Sequence, residues 1–171
     1  MTGHNSIRMT DLTALYVDLG LNESETYIQS GNVISKCQDE IIPSLLAAKI
    51  ENAILERFKY NIPVMIRTIP EVKDLFRFNP FLAEENFDPS KMAVIFLHET
   101  PSASQIQKVA DIDYPPDKFK ISSSEIFIYC PNGFGRTKLY TNFFENKMRV
   151  IGTARNWKTI TSILKIAEKK I

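Results

Sequence analysis

From Ala93 onwards the chain reads strand, helix, strand, strand, helix, short strand, helix, and that order admits few folds. AVIFLH (93–98) is a strand with a fully apolar middle, and SASQIQKVA (102–110) has helical spacing. FKIS (119–122) and EIFIYC (125–130) read as a hairpin turning through Ser123 and Ser124, and a helix spans roughly 137–147. A short strand near Val150 precedes a last helix from Trp157 to Lys170, whose Trp157, Ile160, Ile163, Leu164, Ala167 and Ile171 share one stripe. This is the βαββαβ order of a ferredoxin-like unit with one helix added.

The earlier residues repeat most of that order. Met9, Leu12, Leu15, Tyr16 and Leu19 recur at helical spacing up to Gly20, with Thr10 or Asp11 able to cap the start. TYI and VIS are short strands around a Ser-Gly-Asn turn, because Gly31 and Asn32 tolerate positive φ. A helix runs from about Ile41 to Phe58, VMIRT (64–68) reads as a strand, and Pro70 opens a short helix through Phe76. The expectation is an α+β protein of two ferredoxin-like halves, each an antiparallel sheet covered by helices. Residues 1–78 form the first half, 79–91 the junction and 92–171 the second half. The first half lacks its opening strand. Losing a strand that sits between two others leaves unpaired edges, which are costly unless the sheet is rearranged or something covers them.

A chain of 171 residues suits one domain, or two small ones on a shared core. Its 44% hydrophobic and 24% charged residues are those of a soluble globular protein. No apolar run reaches the roughly 18–20 residues needed to span a bilayer, so no membrane role is expected. The start, MTGHNSIRMTD, has no signal-peptide core, and Cys37 with Cys130 makes no disulfide framework. A cytosolic location follows as an expectation.

The strongest chemical signal is local charge. Between Cys130 and Thr161 stand Arg136, Lys138, Lys147, Arg149, Arg155 and Lys158 against Glu145 alone, giving +5 there and −4 over the remaining chain. PNGFGRTKL and GTARNWKT both read as turns into helices, with Arg136, Thr137 and Lys138 at one mouth and Thr153, Arg155 and Asn156 at the other. A helix start carries unpaired N–H groups and partial positive charge, so cations there weaken the isolated helix by roughly 0.3–1 kcal/mol each. A bound phosphate, carboxylate or nucleotide would explain that arrangement. Solvated charges, with Asn156 or Thr153 simply capping, explain it as well.

The set GHN (3–5) with M-x-x-L (9–12), TYIQSGN (26–32), NPF (79–81), FGRTKL (134–139) and TARNWKT (153–159) resembles the bacterial family catalogued as domain of unknown function 1697. The resemblance covers nearly the whole chain in order, and it implies no assigned reaction and no known cofactor. Members of that family open with a hydrophobic strand entering an Arg-Gly-Ile-Asn-Val-Gly-Gly-like turn. Here only Gly3, His4 and Asn5 match the end of that turn. The resemblance therefore implies that the opening strand and its arginine are missing, through a misplaced start site, a truncated gene or a degenerate paralogue.

The functional expectation is binding of a small anionic or phosphorylated ligand by Arg136, Lys138 and Arg155. Thr137, Thr153 and Asn156 would add neutral hydrogen bonds, and Trp157 would lock the last helix to the core. Gln29, Ser30 and Asn32 at the TYIQSGN tip form a second polar edge, with His4 and Asn5 beside it, or serve the turn alone. FGRTK lacks full P-loop spacing. His4 and His98 have no partners at metal spacing, so no metal site is expected. His98-Glu99 ends a strand, Cys130 is core, and Glu84, Glu85 and Asp88 are solvated loop acids. No complete nucleophile and base can be assembled, which leaves enzyme status open. The alternatives are a nucleic-acid-binding module using the +5 window, with Phe127 and Tyr129 in phase for stacking, and a structural protein pairing through an open sheet edge as a homodimer.

Overall fold

A computed structural model describes residues 7–27, 31–37 and 41–170. Two compact units divide the chain: residues 1–69 with 163–171, and residues 70–162. The protein is α+β, with two separate antiparallel sheets and six α-helices among the described residues. None of these helices is long and apolar enough to cross a membrane.

The first unit holds α1 (Met9–Asp18), β1 (Asn22–Tyr27), β2 (Asn32–Lys36) and α2 (Pro43–Phe58). The helical spacing of Leu12 and Leu15 in α1 meets that of Ile50 and Ile54 in α2, and these four with Leu21 make the core. Pro43 stands in the first turn of α2, where its missing N–H costs nothing. β1 begins at Asn22, four residues before the expected Thr26, although NESE is a poor strand sequence. Pairing decides this. Glu25 opposes Ile34, Thr26 opposes Val33, and Ser24 and Ser35 share a hydroxyl hydrogen bond of 2.7 Å. Lys170 reaches the same strand, donating to the Glu23 carbonyl at 2.8 Å and pairing with Glu25 at 3.4 Å.

Residues 64–68 correct the sequence expectation: they are not a strand. Val64, Ile66 and Ile62 do pack against the core, so the apolar alternation was a true burial signal. The Val64 N–H, however, donates to Glu51 Oε1 at 2.7 Å, so a side chain on α2 takes the place of a strand partner. The sheet of this unit has two strands among the described residues. The expected missing strand concerns residues ahead of Ile7, which lie outside them.

Burial pushes the Tyr16 phenol up to about 12 from its ordinary 10.0. Below pH ~10 the phenol is neutral in both folded and unfolded chains and its contribution is complete. Between pH ~10 and ~12 only the unfolded chain releases the proton, so stability falls by about 2–3 kcal/mol. Urea titrations of wild type and Tyr16→Phe at several alkaline pH values check this. The variant is expected to lose less stability over that window, and identical losses would contradict the assignment.

The second unit contains α3 (Ile69–Arg77) from Pro70 on, β3 (Met92–Leu97), α4 (Ala103–Gln107), β4 (Lys118–Ser122), β5 (Glu125–Tyr129), α5 (Thr141–Met148), β6 (Gly152–Asn156) and the start of α6 (Trp157–Glu168). Its sheet order is β4-β5-β3-β6 with every neighbour antiparallel. Every residue of β3 is buried, as its unbroken apolar run requires of a central strand. Ile95, Leu97, Ile126 and Ile128 share one face and pack with Val109, Leu139, Phe144 and Met148.

The opposite face carries Met92, Val94, Phe127 and Tyr129, all buried. Phe81 and Phe87 flank the Tyr129 ring at 5.7 and 5.6 Å, and its hydroxyl accepts from Asp88 N–H at 3.1 Å. Asn79, itself buried, accepts from Phe81 N–H at 2.9 Å through its side-chain oxygen. The NPF stretch is thus a packing device: it turns the chain so that Phe81 reaches Tyr129. Residues 79–91, expected to join two halves, lie within this unit.

Candidate functional site

The residues after β5 build one side of a cavity of about 620 Å³, which lies in the usual size range of small-ligand sites. Asn132, Gly133, Gly135, Arg136, Thr137 and Lys138 line that side, and Asp113, Tyr114, Pro115, Pro116 and Asp117 line the other. The 113–117 side is a tight turn closed by Asp117 N–H donating to the Tyr114 carbonyl at 2.9 Å. Tyr114 packs edge-on against Phe143 of α5 at 5.8 Å, which anchors the turn on the core.

Here the local structure corrects a second expectation. Arg136, Thr137 and Lys138 are not at the mouth of a helix: Arg136 ends a 3₁₀ turn (Phe134–Arg136), Thr137 is extended, and α5 starts only at Thr141. The buried Thr137 hydroxyl accepts from Leu139 N–H at 3.1 Å, holding the segment out of the helix and sending Leu139 into the core. Arg136 and Lys138 flank this buried threonine and are exposed. The Lys138 ammonium lies 5.1 Å from the centre of the Tyr114 ring. Among the described residues, neither cation comes within ion-pair distance of Asp113 or Asp117.

The Cys130 thiol is fully buried and interacts with Thr137 and Asp117, two residues of the cavity lining. Burial raises its pKa, hydrogen bonding with Thr137 acts against that, and Asp117 adds to the rise through its charge and a hydrogen bond. The thiol is held protonated and away from solvent, which is the opposite of a nucleophile's environment.

The other basic group correlates with a different element. Thr153 and Arg155 lie on strand β6, not in a turn, because Phe96 and Val94 of β3 pair with them. Arg155 is half-buried and lies along its own strand, donating to Thr153 Oγ1 at 2.7 Å and to the Ala154 carbonyl at 2.8 Å. Burial lowers its pKa. Asn156 alone stands at a helix mouth: its side-chain oxygen accepts from Thr159 N–H at 2.8 Å and caps α6. None of Thr153, Arg155 and Asn156 lines the cavity. Trp157 is buried and meets Phe76 of α3 at 4.5 Å between ring centres, which fixes the start of α6. Replacing Asn156 by alanine is expected to cost about 1 kcal/mol, seen as a lower urea midpoint, with Asn156→Asp retaining most of the stability.

Asn32 belongs to the first unit and serves the turn, its side-chain amide donating to the Tyr27 carbonyl at 3.0 Å beside Gly31 at φ +74°. Asn5, Gln29 and Ser30 lie outside the described residues. Sequence reasoning missed Asp113, Tyr114 and Asp117, about twenty residues upstream of Arg136. The one signal for them was DYPPD itself, an acidic and proline-rich turn between a helix and a strand. It also missed Lys91, whose ammonium stands 3.6 Å from where a side chain on Gly133 would begin.

No curated protein matches the chain. In fold it is similar to the solved structure of a conserved bacterial protein, SP0830 from Streptococcus pneumoniae, with a TM-score of 0.76 and 19% identity over 98% of this chain and 92% of that one. At that identity the likeness speaks of fold alone. The family described as protein of unknown function (DUF1697) matches residues 1–127, and the chain belongs to that family.

Proposed function

We propose that the protein binds a small anionic or phosphorylated ligand in the cavity beside Arg136, Thr137 and Lys138. The observation that carries this reading is that both cations line a cavity of ligand size without an ion-pair partner among the described residues. A guanidinium there can meet two oxygens of a phosphate or carboxylate at once. Thr153, Arg155 and Asn156 enter as a separate group, engaged with β6 and α6. The reading extends to a cytosolic protein, in keeping with Cys37 and Cys130, which form no disulfide. It also includes a ferredoxin-like second unit, supported by the β4-β5-β3-β6 order and the strand–helix–strand–strand–helix–strand connectivity.

Two observations disfavour the rivals. Phe127 and Tyr129 are buried, so they offer no surface on which a base could stack. On the four-stranded sheet, edge strand β4 exposes the charged Lys120, which discourages strand addition along that edge; the edges of β1 and β2 in the first unit are a separate case. Thermal unfolding in millimolar inorganic phosphate or nucleotide tests the proposal. The melting temperature is expected to rise for wild type and for Arg155→Lys, and Arg136→Ala is expected to abolish the rise. No rise for wild type, or a full rise for Arg136→Ala, would overturn it.

A further inference from the structure

The cavity carries both signs of charge: Arg136 and Lys138 on one side, Asp113 and Asp117 on the other. A purely anionic guest gains from the first pair and is repelled by the second, over distances at which exposed charges are only partly screened. Opposite charges that shared one spot would form ion pairs, and among the described residues these four do not. They stand on two different turns, one closed by the Asp117 N–H to Tyr114 carbonyl bond and the other by the Leu139 N–H to Thr137 hydroxyl bond. The Tyr114 face on the acidic side is already taken by the Lys138 ammonium, so the carboxylates of Asp113 and Asp117, and not the ring, are what remains for a cationic group.

Resting on the anion-binding reading, we infer that the guest is bipolar: a small molecule with a phosphate or carboxylate at one end and a protonated amine at the other. Arg136 takes the anionic end, and Asp113 with Asp117 takes the amine. Such a ligand satisfies both sides of the cavity, whereas inorganic phosphate satisfies one.

Calorimetric titration of the full chain with inorganic phosphate, O-phosphoethanolamine and ethanolamine tests this. O-phosphoethanolamine is expected to bind at least tenfold more tightly than phosphate. Asp113→Asn, an exposed position, should shrink that advantage several-fold while leaving phosphate binding intact or stronger, and adding Asp117→Asn should remove it. Equal affinity for phosphate and O-phosphoethanolamine, with phosphate binding still lost in Arg136→Ala, would overturn the bipolar inference and leave the anion reading standing. Failure of all three compounds to bind at millimolar concentration would bring down both.

Discussion

Phe144→Ala is expected to destabilise the second unit by about 3–5 kcal/mol. The side chain is fully buried and makes edge-to-face contacts with Phe119 at 5.2 Å and with Phe143 at 5.0 Å. Phe119 comes from an edge strand and Phe143 from the same helix as Phe144, so the truncation empties the point where α5 meets the sheet. Phe143 also holds Tyr114, so the loss should loosen the 113–117 side of the cavity. Urea denaturation followed by circular dichroism checks the energy. Phe144→Leu should recover more than half of it, and a loss under about 1 kcal/mol for the alanine variant would show that the packing is not as described.

Gly152→Ala should cost about 1–3 kcal/mol, a large effect for one added methyl group. A Cβ at this position would stand 2.8 Å from Ile95 Cγ2, 3.2 Å from Leu97 Cδ2 and 3.2 Å from the Phe96 carbonyl oxygen. The carbonyl cannot rotate away, because it belongs to the central strand. The Gly152 N–H donates to Glu145 Oε1 at 3.0 Å, which ties β6 to α5 and limits retreat in the other direction. If the Ile95 methyl is the obstacle, Gly152→Ala should cost at least ~0.5 kcal/mol less in an Ile95→Ala background. Additive losses in that double-mutant cycle would mean that the backbone contact dominates.

The same residues show what the sequence could and could not reveal. β3 was legible from its short apolar run, which the structure buries at every residue, and α1 because Leu12 and Leu15 fall on one helical face. Trp157 was legible as an anchor. The short strand expected near Val150 lies at Gly152–Asn156, and its extent into the TARN stretch was hidden, because these five residues are neither alternating nor apolar and become a strand only by pairing with Ala93–Leu97, some sixty residues earlier. VMIRT shows the converse. Its pattern reports burial, but whether a buried extended segment joins a sheet depends on a partner elsewhere in the chain, and here Glu51 supplies a carboxylate instead.

The candidate site divides in the same way. Arg136, Thr137 and Lys138 were visible as a basic turn, although the helix behind them begins later than its pattern suggested. The acidic side showed only as the DYPPD turn, since nothing local links Asp113 and Asp117 to a loop beyond the β4–β5 hairpin. Only the antiparallel pairing of Lys118 with Tyr129 brings the start of β4 beside the end of β5, and with it one turn against the other.

The central claim, that the anion site lies between the 113–117 and 132–138 turns, is tested most directly by an amide-resolved NMR titration with inorganic phosphate. Saturable shifts are predicted at the amides of Gly133, Gly135, Arg136 and Thr137 and at Tyr114 and Asp117, with none of comparable size at Thr153, Arg155 or Asn156. Shifts confined to β6 and the start of α6, or absent throughout, would contradict it.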